Sequence, residues 1–329
     1  MEKLRIVYLG TPDFAVEPLK CLVEQQNSNV ECGYEVVGVV TMPDKEINKR
    51  GTQVLMSPVK QYALAHELPV LQPESLKNED FLASLKLWNA DLQIVVAFRM
   101  LPECVWNMPR LGTFNLHASL LPQYRGAAPI NWAIINGDKE SGVTTFFLKH
   151  EIDTGDIIMQ DVVPINDDDT AGTLHDKLMV VGGKTVLKTV EAIVRGSVKA
   201  MAQNTLYSSE LDLRPAPKIF RETCRINWNM SANAIYNFVR GMSPYPAAWT
   251  ELKDANGGIS VVKVYETSFE LVSHAHTPGS VITDGKNFVK IAVSDGFISL
   301  LSLQLPGKKR MATAELLRGF NMQAMILAE

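Results

Sequence analysis

The chain has 329 residues, more than one hydrophobic core usually serves, so two domains are the starting expectation. With 46% hydrophobic and 21% charged residues it has the balance of an ordinary folded protein, and no stretch approaches the ~18 apolar residues of a membrane span. A net charge of −4 excludes an obvious polyanion binder by bulk charge, although Lys/Arg outnumber Asp/Glu 13 to 11 from Thr205 onward against 19 to 25 before it.

Residues 4–9 are apolar and β-rich and predict a first strand, broken by Gly10-Thr11-Pro12-Asp13. Neither a GxGxxG nor a GK[ST] pattern follows, so this is a strand-to-helix turn rather than a phosphate loop. Ala15, Leu19, Leu22 and Val23 recur at helical spacing, and 35–42 reads as a second strand before a polar, charged loop over 43–56. That loop has little to bury and is expected to be mobile without a partner. Ser57-Pro58 has the pattern of a helix start, with Ser as cap and Pro in the first turn. The nearly continuous apolar run 91–98 predicts a strand buried on both faces. Further strands follow at 112–117, 143–149 and 157–163, with helices at 126–136 and 173–194.

Strands alternating with helices predict an α/β, Rossmann-like open and mostly parallel sheet covered on both faces. The segment 199–225 is polar, contains Pro215 and Pro217, and reads as a linker between a domain over 1–198 and one over 226–329. Beyond it a short helix at 231–241 precedes strands near 248–253, 259–266, 279–284, 287–293 and 296–303, separated by Gly and Asp-Gly turns, which predicts a small C-terminal β-barrel. The opening MEKLRIVYLG lacks an apolar signal region, and Cys21, Cys32, Cys104 and Cys224 form no CxxC pair. A reducing cytoplasm is therefore expected, with neither a disulfide framework nor a zinc site.

The densest chemistry lies in 114–156. Asn115 and His117 stand two apart at the end of a strand and so share one face, and Asp153 sits in a second turn. An amide that donates to an oxyanion, an imidazole that moves a proton and a carboxylate beside it make a set suited to acyl transfer. Taken singly, each has a plainer reading: His117 as a structural hydrogen-bonding residue, and Asp153 and Asp156 as turn formers. Arg125 could equally brace its own loop. His66, His150, His175, His274 and His276 have no ligand-like grouping, so no metal is predicted.

The Asn-x-His pair, the SLLPQYRGAAP loop and the Asp-Thr-Gly-Asp turn together resemble the folate-dependent formyltransferases. Gly10-Thr11-Pro12-Asp13-Phe14, the Pro43-Asp44 loop ending in Ser57-Pro58-Val59-Lys60, Ala127-Ala128-Pro129-Ile130 and Leu305-Pro306-Gly307-Lys308-Lys309 are similar to the branch that acts on initiator methionyl-tRNA. The resemblance implies 10-formyltetrahydrofolate as formyl-donor cosubstrate, methionyl-tRNA as acceptor and an OB-like barrel that binds tRNA; a monomer with no membrane partner is expected. The resemblance further implies that Asn115 donates to the oxyanion, that His117 serves proton transfer, and that Asp153 holds the imidazole and an ordered water. Ser119, Leu120, Leu121 and Pro122 match the family's folate-contacting loop, with Ala97, Phe98 and Leu101 near the pterin. Lys45, Lys49 and Arg50 would meet the tRNA acceptor end, and Lys308, Lys309 and Arg310 the tRNA backbone.

Arg99-Met100 departs from the small glycine-containing segment usual in the family, and Lys-Glu-Ile replaces the Pro and Gly common in the tRNA loop. Three other functions stay open on the residues. A sugar-nucleotide amine N-formyltransferase shares the trio, a formyltetrahydrofolate hydrolase would use water as acceptor, and a tRNA-binding protein could carry an inactive catalytic domain.

Overall fold

The computed structural model describes residues 3–28, 33–46, 54–209, 212–322 and 325–328. In chain order, β1 (Leu4–Gly10), α1 (Val16–Ser28) and β2 (Tyr34–Val40) are followed by β3 (Lys45–Glu46), β4 (Val54–Leu55), α2 (Pro58–Ala65) and β5 (Val70–Leu71). Next come α3 (Glu79–Leu87), β6 (Leu92–Val96), α4 (Glu103–Trp106), β7 (Thr113–His117), α5 (Pro129–Ile135), β8 (Glu140–Phe147), β9 (Ile157–Pro164) and α6 (Ala171–Val194). The remainder is α7 (Ala232–Met242), β10 (Ala248–Asp254), β11 (Ile259–Leu271), β12 (Val281–Thr283), β13 (Val289–Val293), β14 (Gly296–Gln304), β15 (Met311–Ala312), α8 (Thr313–Leu316) and β16 (Met325–Ala328). The chain divides into two compact units. The first is Met1–Gly126, Ser141–Val163 and His175–Pro215; the second is Ala127–Glu140, Pro164–Leu174 and Ala216–Glu329.

The first unit is built on a seven-stranded sheet of order β5-β2-β1-β6-β7-β8-β9. Strands β5, β2, β1, β6 and β7 run parallel, and β8 turns antiparallel to β7. All five residues of β6 are buried, as its unbroken apolar run LQIVV requires of a strand covered on both faces. The chain leaves β1 towards β2 on one side and returns as β6 on the other, so the topological switch point lies between β1 and β6, where Gly10 pairs with Val96.

Local chemistry sets the helix starts. Ser57 Oγ accepts the Lys60 N–H and Pro58 occupies the first turn of α2, as its sequence requires. Helix α3 was absent from the sequence reading, although its signal is present: Asn78 Oδ1 accepts the Phe81 N–H at 2.9 Å, and Glu79 and Asp80 fill the first turn. The 43–56 loop contains the β3–β4 pair; the expectation about its mobility, together with Lys49 and Arg50, lies outside the described residues.

The second unit carries a seven-stranded antiparallel sheet, β12-β13-β14-β11-β10-β16, with β15 paired to β14. The Ala328 N–H donates to the Gly279 carbonyl at 2.8 Å, which brings β16 back towards the β12 edge and nearly closes the barrel. Helix α7 starts at Ser231, whose Oγ accepts the Ala234 N–H. It buries Ile235, Val239 and Met242 in a core shared with Trp228, Val262, Val264, Ile291, Ile298 and Leu300. Trp228 meets the cost of burying its indole by donating Nε1–H to Thr250 Oγ1 at 2.9 Å. Helix α5 packs on α7 within this unit, where a Cβ on Gly241 would stand 2.6 Å from Ile135 Cγ1, so the close approach needs glycine.

The Rossmann-like sheet and the small barrel are those expected from the sequence. Among the described residues no helix is long and apolar enough to cross a membrane. Because Ile94 is fully buried at the centre of β6, Ile94→Ala is expected to lower the unfolding free energy by about 2–5 kcal/mol in urea melts. A loss below roughly 1 kcal/mol would contradict this account of the core.

Candidate active site

Strand β7 is the sheet's change of direction. Asn115 pairs with Val95 of β6 on one side and Phe146 of β8 on the other, and His117 pairs with Thr144. The two-residue repeat turns Phe114 and Leu116 into the core at 0% and 3% exposure and sends Asn115 and His117 to the opposite face. Asn115 is half-buried, and among the described residues no protein group hydrogen-bonds its side chain. Its N–H donors are thus available to a substrate oxygen.

His117 is 7% exposed and its ring is oriented from two sides. Nε2 lies 2.8 Å from the Tyr124 carbonyl, and Nδ1 lies 3.9 Å from Asp153 Oδ2. A carbonyl only accepts, so Nε2 must donate, and Nδ1 is the nitrogen left for proton exchange. The edge of Phe146 closes the ring's flank at a centroid separation of 6.5 Å. Tyr124 reaches this position through a left-handed backbone, φ 61°, while its N–H donates to the Arg214 carbonyl at 2.7 Å.

Asp153 arrives from the loop between β8 and β9, which follows the antiparallel strand rather than the carboxyl end of a parallel one. It too is left-handed, φ 55°, and its Oδ2 accepts the Gly126 N–H at 3.0 Å. At 3.9 Å the carboxylate is too far from Nδ1 for a direct hydrogen bond but within ion-pair range of an imidazolium. Asp156 serves the turn: its carbonyl accepts the Phe147 N–H and its carboxylate pairs with Lys149 at 2.7 Å.

The 119–122 segment is pinned from below. Thr144 Oγ1 donates to the Ser119 carbonyl at 2.6 Å and accepts the Leu121 N–H, while Gln160 Nε2 donates to the Leu121 carbonyl and to Thr144 Oγ1. Ser119, Leu121 and Pro122 are buried and Leu120 is half-buried. Ala97, at φ 46°, is exposed just past β6 at the switch point, with Phe98 half-buried and Leu101 in the core with Val7, Leu9 and Val95. Arg99 donates to the Glu74 carbonyl at 2.7 Å and to the Pro73 carbonyl, so this departure from the family pattern ties two loops together.

Of the basic residues, Lys45 is exposed on β3. Lys60, counted with the same loop in sequence, instead forms an ion pair with Asp44, whose other oxygen accepts from Gln72 at 2.9 Å. The Lys60 hydrogen bond holds the Asp44 carboxyl below its usual range. Lys308, Lys309 and Arg310 are exposed on the second unit, and the Arg310 guanidinium lies 4.7 Å over the Tyr265 ring. Among the described residues no group of three or more His/Cys/Asp/Glu side chains is placed to hold a metal ion.

Sequence reasoning missed Thr144, Gln160, Gln203 and Arg214. The stretch read as linker supplies the last two, and its Gln203, Asp212 and Arg214 all hydrogen-bond the 123–126 or 153–155 loops.

An available amide, an oriented imidazole and a facing carboxylate at one end of a Rossmann-like sheet are groups of the kind that acyl transfer uses. The chain belongs to the formyl transferase family: the family's model matches residues 4–190, and the model of the formyl transferase C-terminal domain matches residues 218–321. It is 63% identical over 321 residues to a methionyl-tRNA formyltransferase of Bacteroides fragilis, covering 98% of this chain and 96% of that one. The methionyl-tRNA formyltransferase of Flavobacterium johnsoniae is 52% identical over 319 residues, covering 97% of each. Among solved structures, the sugar 3N-formyl transferase WlaRD, crystallised with dTDP and 5-N-formyl-THF, shares the fold with a TM-score of 0.64 at 20% identity, over 94% of this chain and 100% of that one.

The neutral His117 ring is expected to carry its proton on Nε2, bound to the Tyr124 carbonyl. Long-range nitrogen–proton NMR spectra of the imidazole read this directly, and a proton on Nδ1 would overturn the assignment.

Proposed function

We propose that this chain transfers the formyl group of 10-formyltetrahydrofolate to the α-amino group of initiator methionyl-tRNA. The observation that carries the reading is 63% identity, over nearly the whole of both chains, to a methionyl-tRNA formyltransferase. Likeness to a sugar formyl transferase stands at 20% identity and bears on the fold alone, so the sugar acceptor is the weaker reading.

In this reaction the amine nitrogen bonds to the formyl carbon and the carbonyl electron pair moves to oxygen. Asn115 donates to that developing oxyanion; a single such donor is worth roughly 10²–10³ in turnover in other enzymes. His117 Nδ1 takes the proton released from the amine, with the Asp153 carboxylate 3.9 Å away to balance the imidazolium. Collapse of the intermediate breaks the bond from the formyl carbon to the folate N10, which recovers a proton from the same imidazolium through water. Charge and protons balance, and no oxidant is needed.

The donor's pterin is assigned to the switch-point crevice beside Ala97, Phe98 and Leu101, with Ser119, Leu120, Leu121 and Pro122 along its other wall. Topology supports this, because open sheets bind ligands at the carboxyl ends flanking the switch point. Lys45, Lys49 and Arg50 are assigned to the acceptor end of the tRNA, and Lys308, Lys309 and Arg310 to its backbone, where cations act through phosphate charge.

Labelled 10-formyltetrahydrofolate supplied with methionyl-tRNA and an amino-sugar nucleotide in competition tests the reading. Label is expected in the tRNA fraction alone. Label in the sugar alone would keep the chemistry and overturn the acceptor.

A further inference from the structure

Gln203 is a polar side chain near the site whose role neither the reaction nor the family match assigns. It is only 2% exposed, on a short helical turn (Gln203–Thr205) in the stretch after α6. A buried primary amide needs two donors and an acceptor satisfied, and here both ends serve the catalytic loops. Nε2 donates to the Asp153 carbonyl and to the Gly155 carbonyl, each at 2.8 Å. Oε1 accepts a fork from Arg125, Nε at 3.1 Å and Nη2 at 2.8 Å.

The two ends tie together the two segments that hold one carboxylate. Asp153 and Gly155 are the backbone of the turn that presents the carboxylate. Arg125 immediately precedes Gly126, whose N–H holds Asp153 Oδ2 at 3.0 Å. The amide of Gln203 therefore closes a ring that runs from Arg125 through Gly126 and the Asp153 carboxylate to the Asp153 backbone and back. Asp153 sits at φ 55°, a left-handed conformation that is uncommon outside glycine and that neighbouring contacts help to hold. Gly155 leaves the turn no slack, since a Cβ there would fall 1.6 Å from the Phe147 carbonyl oxygen.

We infer that Gln203 is a positioning residue for formyl transfer: through its paired contacts to the Asp153 turn and Arg125 it sets the Asp153 carboxylate against His117 Nδ1. The inference rests on the reading of His117 and Asp153 as the proton-handling pair. A merely structural Gln203 would cap two buried carbonyls and affect stability alone; a positioning Gln203 acts on turnover through Asp153.

A double-mutant cycle with Asp153 separates these. Gln203→Leu is expected to lower kcat by about 10- to 10²-fold, with KM for the folate donor and for methionyl-tRNA within about 2-fold. In an Asp153→Asn background the same change is expected to cost almost nothing further, because its route has gone. Gln203→Glu keeps the size and the Arg125 fork but offers the two carbonyls no donor, so it should show the same kcat loss and serves if Gln203→Leu does not fold. Folded variants with lowered Tm and undiminished kcat would overturn the proposal, as would losses that multiply independently with Asp153→Asn. A fully active Asp153→Asn overturns both this proposal and the proton-handling reading, whereas an impaired Asp153→Asn with additive losses overturns the Gln203 proposal alone.

Discussion

Everything at this site depends on the register of β7. The strand is gripped by parallel β6 on one edge and antiparallel β8 on the other, and a slip of one residue would turn Asn115 and His117 into the core. Phe114 and Leu116 oppose that slip by filling the opposite face, and α6 lies close enough over Leu116 that a Cβ on Gly182 would stand 2.8 Å from its Cδ2. Hydrophobic packing thus fixes the face on which the polar pair stands.

The carboxylate is placed by different physics. Asp153 stands on a loop and is aimed by hydrogen bonds: Gly126 to its side chain and Gln203 to its backbone. His117 is aimed likewise, by the Tyr124 carbonyl, and Tyr124 is itself tethered to Arg214. Two residues in left-handed backbone, Tyr124 and Asp153, flank the imidazole. Such conformations are unfavourable in isolation and are sustained by surrounding contacts, which is where a preorganised site stores its cost. The segment after α6 supplies the Gln203 and Arg214 contacts and so belongs to the framework that holds the His117–Asp153 pair.

Much of this was legible in the sequence, for identifiable reasons. Periodicity exposes strands buried on both faces, so β6 and the Rossmann-like order were readable, as was α2 from Ser57-Pro58. Asn115 and His117 could be paired because alternation is a local rule. The contacts of Gln203 with Arg125 and Asp153 span 78 and 50 residues of sequence, and no local pattern announces them. Its polar, proline-containing surroundings have the composition of a linker even though the side chain is buried. The interleaving of the two units, in which 127–140 and 164–174 join the C-terminal residues, is equally non-local. Helix α3 is a different case, because its Asn78 cap and acidic first turn are a local signal that the sequence does carry.

β7 and the Asp153 turn are proposed to assemble one formyl-transfer centre in which His117 handles the proton. Its most direct test is single-turnover formyl transfer to methionyl-tRNA by His117→Ala, measured beside tRNA binding. The expected rate is lower by about 10²- to 10⁴-fold, with binding unchanged. A rate within about 3-fold of the unsubstituted protein, far short of the loss expected for a general acid–base residue, would contradict it.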